Sequence, residues 1–236
     1  MTDQTVYVSV YDMSSLFASF LLVLDHMVGL GGDGMLGSKG RSDGEETKKR
    51  IVQKATQLFV QKGYGAVTMN EVCVTANVSK GSLYHHFSSK EELFLYVVEE
   101  DTKQWLQEWD NKRSETTGIE ERFYALAEHY AHDFQNPLIR ALEEFSRSRT
   151  HPPEIIKRLA LIYDSTLRAS RELLQEGIDT NYLLTGDLEN YVIIVNGMLE
   201  GIGRVAEISV QAKTPEDIMK YYREAVRLLL QGMRTH

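Results

Sequence analysis

Between Thr68 and Lys90 the chain gathers small polar, basic and aromatic side chains whose spacing suits contact with a polyanion. Ser79, Lys80, Gly81 and Ser82 are consecutive, and short or flexible side chains let the backbone that carries them approach base edges in a major groove, where bulkier groups would hold the two surfaces apart. Tyr84 and His85 follow, and a phenol or an imidazole can donate to a phosphate or a base edge. Leu83 and Phe87, in the same stretch, read as core; packing of one helix on the next is the competing reading of Tyr84 and His85 as well. Thr68 and Ser89 are hydroxyl residues with Glu71 and Glu92 three positions on, the pattern of a capped helix start. Such an amino terminus offers free backbone N–H groups to a phosphate, and Lys90 adds charge beside the second one.

These side chains work together only if short, rigid elements hold them. Ile51, Ala55, Leu58 and Phe59 recur at helical spacing from Lys48 to Lys62, and Gly63 supplies a stop. A second helix is expected from Thr68 to about Ala76, with Asn77 able to take the left-handed conformation that ends it. A third runs from Ser79 to His86. A fourth starts at Ser89, carries Leu93, Val97 and Trp105, and reaches about Asn111. Two short helices joined by a tight turn and preceded by a supporting helix describe a helix-turn-helix. Charge agrees with this. The protein carries a formal net charge of -8, yet residues 48–90 hold seven basic side chains against one acidic, Glu71, a net of +6 that leaves -14 on the remainder. One surface meets a polyanion while the rest avoids it.

The wider composition narrows the alternatives. With 236 residues, 42% hydrophobic and 25% charged, the chain has the make-up of a globular protein of one or two domains. Its single cysteine, Cys73, allows neither an internal disulfide nor a multi-cysteine metal site, which favours a reducing, cytoplasmic setting. There is no nucleophile elbow, phosphate-binding glycine loop or spaced cysteine and histidine framework, so neither an enzyme nor a cofactor is expected. The apolar run Leu16–Leu24 is too short to span a bilayer and lacks a preceding basic residue, so no membrane insertion is expected. Residues 29–44 are glycine-rich and read as a flexible tether. Residues 1–44 are thus expected to form a flexible extension outside the main fold, the first 28 of them a dispensable leader, with Met27 or Met35 as candidate starts and an extra docking helix as the alternative.

The run TMNEVCVTANVSKGSLYHHFSSKEELF, with Gly63-Tyr64 ahead of it, resembles the DNA-binding signature of the TetR family, the tetracycline-repressor-like regulators of bacteria. The likeness covers residues 47–100. It rests on Thr68, Ala76, Val78-Ser79, Gly81, Leu83-Tyr84, His86-Phe87, Lys90-Glu91 and Leu93. Asn77 stands where the family usually has glycine, and Cys73-Val74 replaces a commoner small pair. The resemblance implies DNA contacts from Thr68, Ser79, Lys80, Gly81, Ser82, Tyr84, His85 and Lys90. Of these, Lys80 and His85 are expected nearest base edges, with Thr68, Tyr84 and Lys90 mainly on phosphates.

Downstream, helical segments are expected at about 119–134, 137–149, 153–177, 187–207 and 215–233, giving an all-α fold. The expected division is a helix-turn-helix domain at 45–92 and a helical effector-binding and dimerisation domain at 93–236. Leu188, Tyr191, Val192, Val195, Leu199, Ile202 and Ala206 form one apolar stripe, and Ile218, Tyr221, Ala225 and Leu229 another. Both stripes can bury within the subunit. The resemblance implies instead that the last two helices pair with their twins in a homodimer reading a palindromic, double-stranded DNA operator, usually as a repressor. It also implies a small-molecule inducer held between helices. Trp105, Trp109, Phe123, Tyr130, Phe134, Phe145 and Tyr163 are candidate lining residues as well as candidate core, and Asn196, Glu200 and Arg204 are candidate polar anchors. A metal-responsive alternative places His129 and His132, three apart beside Asp133, on a zinc or nickel ion.

Overall fold

The computed structural model describes residues 41–134, 136–147, 151–208 and 214–235. The apolar run Leu16–Leu24, both candidate starts and most of the tether lie outside them. Among the described residues the chain is a succession of helices without a strand: α1 (Arg41–Ala66), α2 (Met69–Ala76), α3 (Lys80–His86), α4 (Lys90–Glu115), α5 (Ile119–Asp133), α6 (Pro137–Arg147), α7 (Pro153–Asp179), α8 (Leu188–Ile208) and α9 (Pro215–Met233). The first helix thus begins at Arg41, inside the segment expected to be a tether, and the fourth runs past Asn111 to Glu115. None is long and apolar enough to cross a membrane.

Local chemistry sets the boundaries at the amino-terminal end. Gly63 breaks α1 with φ 76° and ψ 171°, a conformation that side-chain-bearing residues rarely adopt. Thr68 caps α2 by accepting the Glu71 N–H, and Asn77 ends it in the left-handed region at φ 51°, ψ 54°. Ser79 caps α3 through the Ser82 N–H, and Ser89 caps α4 through the Glu92 N–H. The glutamates do not close reciprocal boxes. Glu71 turns to Lys62, and Glu92 accepts from the Ser88 N–H at 2.6 Å.

Two apolar cores result. The head core joins Ile51, Phe59, Val72, Leu83, Phe87 and Phe94, and it extends beyond the helix-turn-helix to Leu138, Ala141 and Phe145 of α6 and Ile162 of α7. The body core is built on Trp109, Phe123, Leu126, Leu173, Val192, Leu199 and Tyr222. Helix α4 runs from one core into the other.

The expected apolar stripe of α8 faces its own subunit: Val192, Val195, Leu199 and Ala206 are buried. A second apolar face, on which the spacing of Gly197 and Gly201 already predicts a shallow surface open to another helix, points outward. Ile193, Ile194, Val205 and Ile208 are 50%, 58%, 62% and 83% exposed, and a Cβ added at Gly197 or Gly201 would meet open space. On α9, Tyr222, Val226 and Leu230 point inward while Tyr221 and Leu228 are exposed.

Candidate DNA-reading face and effector cavity

Helix α3 is held by Leu83, buried completely, and Phe87, 1% exposed, so its opposite face is fixed in orientation. That face carries Ser79, Lys80, Gly81, Tyr84 and His85, all exposed, with Ser82 half-buried. The Ser79 and Thr68 oxygens accept backbone N–H groups as caps, which leaves each hydroxyl proton available to a phosphate. A Cβ added at Gly81 would meet only the Ser79 Oγ at 3.9 Å. The chain itself therefore does not require a bare backbone there, whereas a groove would.

The surrounding charge is organised differently from the expectation. Lys90 does not point at solvent: its Nζ donates to the carbonyls of Tyr64 and Val67, each at 3.0 Å, and of Gly65 at 3.4 Å, and it sits 4.2 Å from the Tyr64 ring centroid. Its role as a phosphate contact is corrected to that of a clamp on the turn between α1 and α2. Lys48 lies over the Tyr96 ring at 3.9 Å, Arg50 donates to the Ala76 carbonyl at 3.1 Å, and Lys62 pairs with Glu71. Much of the basic character in residues 48–90 thus holds the head together, and Lys80 is the exposed cation carried by the candidate reading face itself.

Below the head, helices α4 to α9 enclose a cavity of about 500 Å³. Trp105, Tyr130, Phe134, Tyr163 and Tyr222 supply aromatic walls, Leu138, Ile139 and Leu142 an aliphatic one. Trp105 and Tyr130 meet edge to face at 5.2 Å. Gly203 has no Cβ, and the Phe134 ring occupies the space one would need. Of the residues expected to line a pocket, Trp105, Tyr130, Phe134, Tyr163, Glu200 and Arg204 do so. The others are corrected. Trp109 and Phe123 are buried in the body core, and Phe145 lies in the head core. Asn196 stands one step behind the wall, where its Oδ1 accepts from the Tyr130 hydroxyl at 2.6 Å and its Nδ2 donates to the Ser170 Oγ at 2.6 Å.

The polar lining is predominantly acidic. Asp101, Asp133, Glu143 and Glu200 face Arg140 and Arg204, and Arg204 is paired with Glu143. The Asn136 amide bridges two carboxylates, donating to Asp101 Oδ2 at 3.1 Å and Asp133 Oδ1 at 3.2 Å, while its Oδ1 accepts the Leu138 N–H at the start of α6. Burial raises the Asp133 carboxyl to about 6, opposed by the Asn136 hydrogen bond and reinforced by Asp101. Burial also raises Asp101 and Glu200. The phenols of Tyr130, Tyr163 and Tyr222 are pushed up for the same reason and remain neutral donors. Asp101 and Asp133 were not proposed as cavity residues from sequence. The available signal was a carboxylate one helical turn from an aromatic, Asp101 before Trp105 and Asp133 after Tyr130.

The surroundings of His129 give the metal alternative no support. His129 is 3% exposed and sandwiched against Trp105 and Trp109 rather than solvated. The Trp105 carbonyl can only accept, so His129 Nε2–H donates to it at 2.9 Å, which leaves Nδ1 to accept from Lys112 Nζ at 3.4 Å. Neither nitrogen is open to a metal. Among the described residues no group of three potential ligands comes together.

Residues 51–97 match the family described as bacterial regulatory proteins, tetR family, and residues 101–235 match the QacR-like C-terminal region. Over 108 residues the chain is 31% identical to the HTH-type transcriptional regulator QacR of Staphylococcus aureus, a stretch covering 44% of this chain and 57% of QacR, so the match spans little more than half of that relative. A TetR-family transcriptional regulator of Mesorhizobium loti shares the fold at a TM-score of 0.69 and 21% identity, over 83% of this chain and all of that one. A transcriptional regulator of Saccharomonospora viridis, solved in complex with choline, does so at a TM-score of 0.65 and 15% identity, over 81% of this chain and all of that one. With the second family match alone spanning more than half its length, the chain belongs to the TetR family of regulatory proteins, in the branch with a QacR-like carboxy-terminal region.

Proposed function

We propose that the chain is a homodimeric repressor that reads a palindromic duplex with α3 and lets go of it when a small molecule fills the cavity. The observation that carries the reading is the exposed row Ser79, Lys80, Gly81, Tyr84 and His85 on a helix locked from behind by Leu83 and Phe87. The expected effector, a small hydrophobic molecule, is refined to an aromatic or alkyl cation. Aromatic walls stabilise a cation through their faces, and the lining carboxylates Asp101, Asp133, Glu143 and Glu200 outnumber its guanidinium groups, Arg140 and Arg204. If the cavity stays open only in the released shape, burying about 250 Å² of apolar ligand surface at about 25 cal/mol per Å² supplies about 6 kcal/mol. That matches the ~5.5 kcal/mol of differential affinity a nearly complete switch needs.

Selection of bound duplexes from a random pool tests the reading. Recovery of an inverted repeat whose binding is lost in Lys80→Ala and weakened by tetraphenylphosphonium, an aromatic cation of suitable size, is the expected result. Absence of any preferred duplex at low salt refutes DNA reading. A preferred duplex indifferent to every cation and every neutral aromatic tried refutes the effector reading alone.

A further inference from the structure

Helix α6 has two working faces. Ile139 and Glu143 line the cavity, Ala141 and Phe145 belong to the head core, and Leu138 and Leu142 between them touch both. Phe145 meets Tyr64 at 4.7 Å and Phe94 at 5.2 Å. Next to it, Glu144 reaches the turn that separates the supporting helix from the helix-turn-helix. Its Oε1 accepts the Gly65 N–H at 3.1 Å. A Cβ on Gly63 would lie 2.7 Å from Glu144 Oε2, and one on Gly65 would lie 2.5 Å from Oε1. Gly63 is also required by its positive φ, but Gly65 is not in that region of backbone space. A side chain at Gly65 would press on the end of the Glu144 side chain, which could make room only by giving up its bond to the Gly65 N–H. The same turn is gripped from the other side by Lys90, whose ammonium binds the carbonyls of Tyr64, Gly65 and Val67. A cation from α4 and an anion from α6 therefore hold opposite poles of one glycine-flanked turn.

On the reading of the cavity as an effector site, we propose that Glu144 is a positioning residue that transmits cavity occupancy to the DNA-reading helices, with the Gly63–Gly65 turn as its socket. A ligand that pushes on Ile139 and Leu142 displaces α6, and because the carboxylate is seated on the Gly65 amide, α2 and α3 move with it. Lys90 carries the parallel linkage through α4. The head thus follows the body through two charged contacts on a single turn.

The test uses the full chain and a duplex selected as above, with DNA affinity measured with and without tetraphenylphosphonium and thermal unfolding followed in parallel. Wild type is expected to lose at least ten-fold in affinity when the cation is added. In Glu144→Ala the loss shrinks to under three-fold, and in Glu144→Gln, whose amide oxygen still accepts from Gly65, most of it returns. A contact that only stabilises the fold would lower the unfolding midpoint and leave this ratio unchanged. A folded Glu144→Ala chain released as fully as wild type overturns the proposal. Should the cation fail to release wild type, Ile139→Trp fills the cavity from α6 itself. A ten-fold loss of DNA affinity with Glu144 present and under three-fold in its absence supports the linkage, and equal losses overturn it. Indifference of wild type to both the cation and the tryptophan refutes the effector reading and, with it, anything for Glu144 to transmit.

Discussion

Two lysines ten residues apart show how little a residue's type says about its task. Lys80 and Lys90 share one basic stretch, yet Lys80 is exposed on α3 while Lys90 donates to three carbonyls of the α1–α2 turn. Lys90→Ala should therefore lower stability by about 1.5–3 kcal/mol in a denaturant titration, since partly buried carbonyls lose their hydrogen bonds to a charged donor. Lys80→Ala should leave stability within about 0.5 kcal/mol and weaken DNA binding instead. Equal stability of the two variants would contradict the clamp. Asp133 offers a second case, tied to pH. Burial raises its carboxyl to about 6 in the folded chain against an ordinary aspartate value of 3.8, so the folded state holds the proton more tightly. Above pH 6 the ionised, partly buried group disfavours folding, and this penalty fades as pH falls from 6 toward 4. For a bound cation the sign is opposite: only the carboxylate attracts it. Tetraphenylphosphonium affinity should fall roughly ten-fold between pH 7.5 and pH 5, the ratio expected for a group one unit above the lower pH, and Asp133→Asn should flatten that dependence in a calorimetric titration. Neither the clamp nor the carboxylate pair was legible in sequence, because both depend on which groups meet across helices.

At the scale of elements, the features set by neighbours in sequence were readable and those set by distant packing were not. Caps at Thr68, Ser79 and Ser89, the break at Gly63 and the left-handed Asn77 each follow from a side chain acting on its own backbone within a few residues. The double duty of α6 was invisible, since nothing in its eleven residues says that one face closes a cavity and the other completes the head core. Helix α8 misled for another reason: it is apolar on two faces, and periodicity picks a stripe without saying which side has a partner. Glycines on these helices separate by the same logic. A Cβ at Gly177 of α7 would lie 2.7 Å from Leu183 Cδ1, and Leu183 is 1% exposed and cannot swing away. Gly177→Ala should cost about 1–3 kcal/mol by overpacking. Gly232→Ala, at the end of α9 with open space around it, should be neutral or slightly stabilising. Thermal melts of the two variants decide the matter, and a stable Gly177→Ala chain would mean that the α7–Leu183 contact is looser than described.

For the molecule as a whole, the outward face of α8 is the surface through which the proposed dimer would bring two heads together as one reader. Ile194, Gly197, Gly201, Val205 and Ile208 repeat at intervals of three and four, so they form a continuous apolar strip with a shallow centre where a second helix can come close. On α9, Tyr221 and Leu228 are also exposed. A strip of this kind stays exposed only at a cost in solubility, and twofold pairing buries it twice over. Such pairing would also set the spacing of the two α3 helices. Half-sites one helical turn apart, about 34 Å, are engaged together only by linked heads, and the second contact then forms at an effective concentration far above that of free protein. Breaking the strip should consequently damage DNA binding without touching any residue that meets DNA. Val205→Glu combined with Ile194→Glu is expected to convert a dimer into a folded monomer in light scattering at micromolar concentration. Affinity for a palindrome should drop by about 10²-fold or more while affinity for an isolated half-site hardly changes, in keeping with the gain that linkage confers. Should the doubly charged chain remain a dimer, the strip is not the pairing surface. Should it become a monomer and still grip the palindrome as tightly as before, the two heads do not read DNA together.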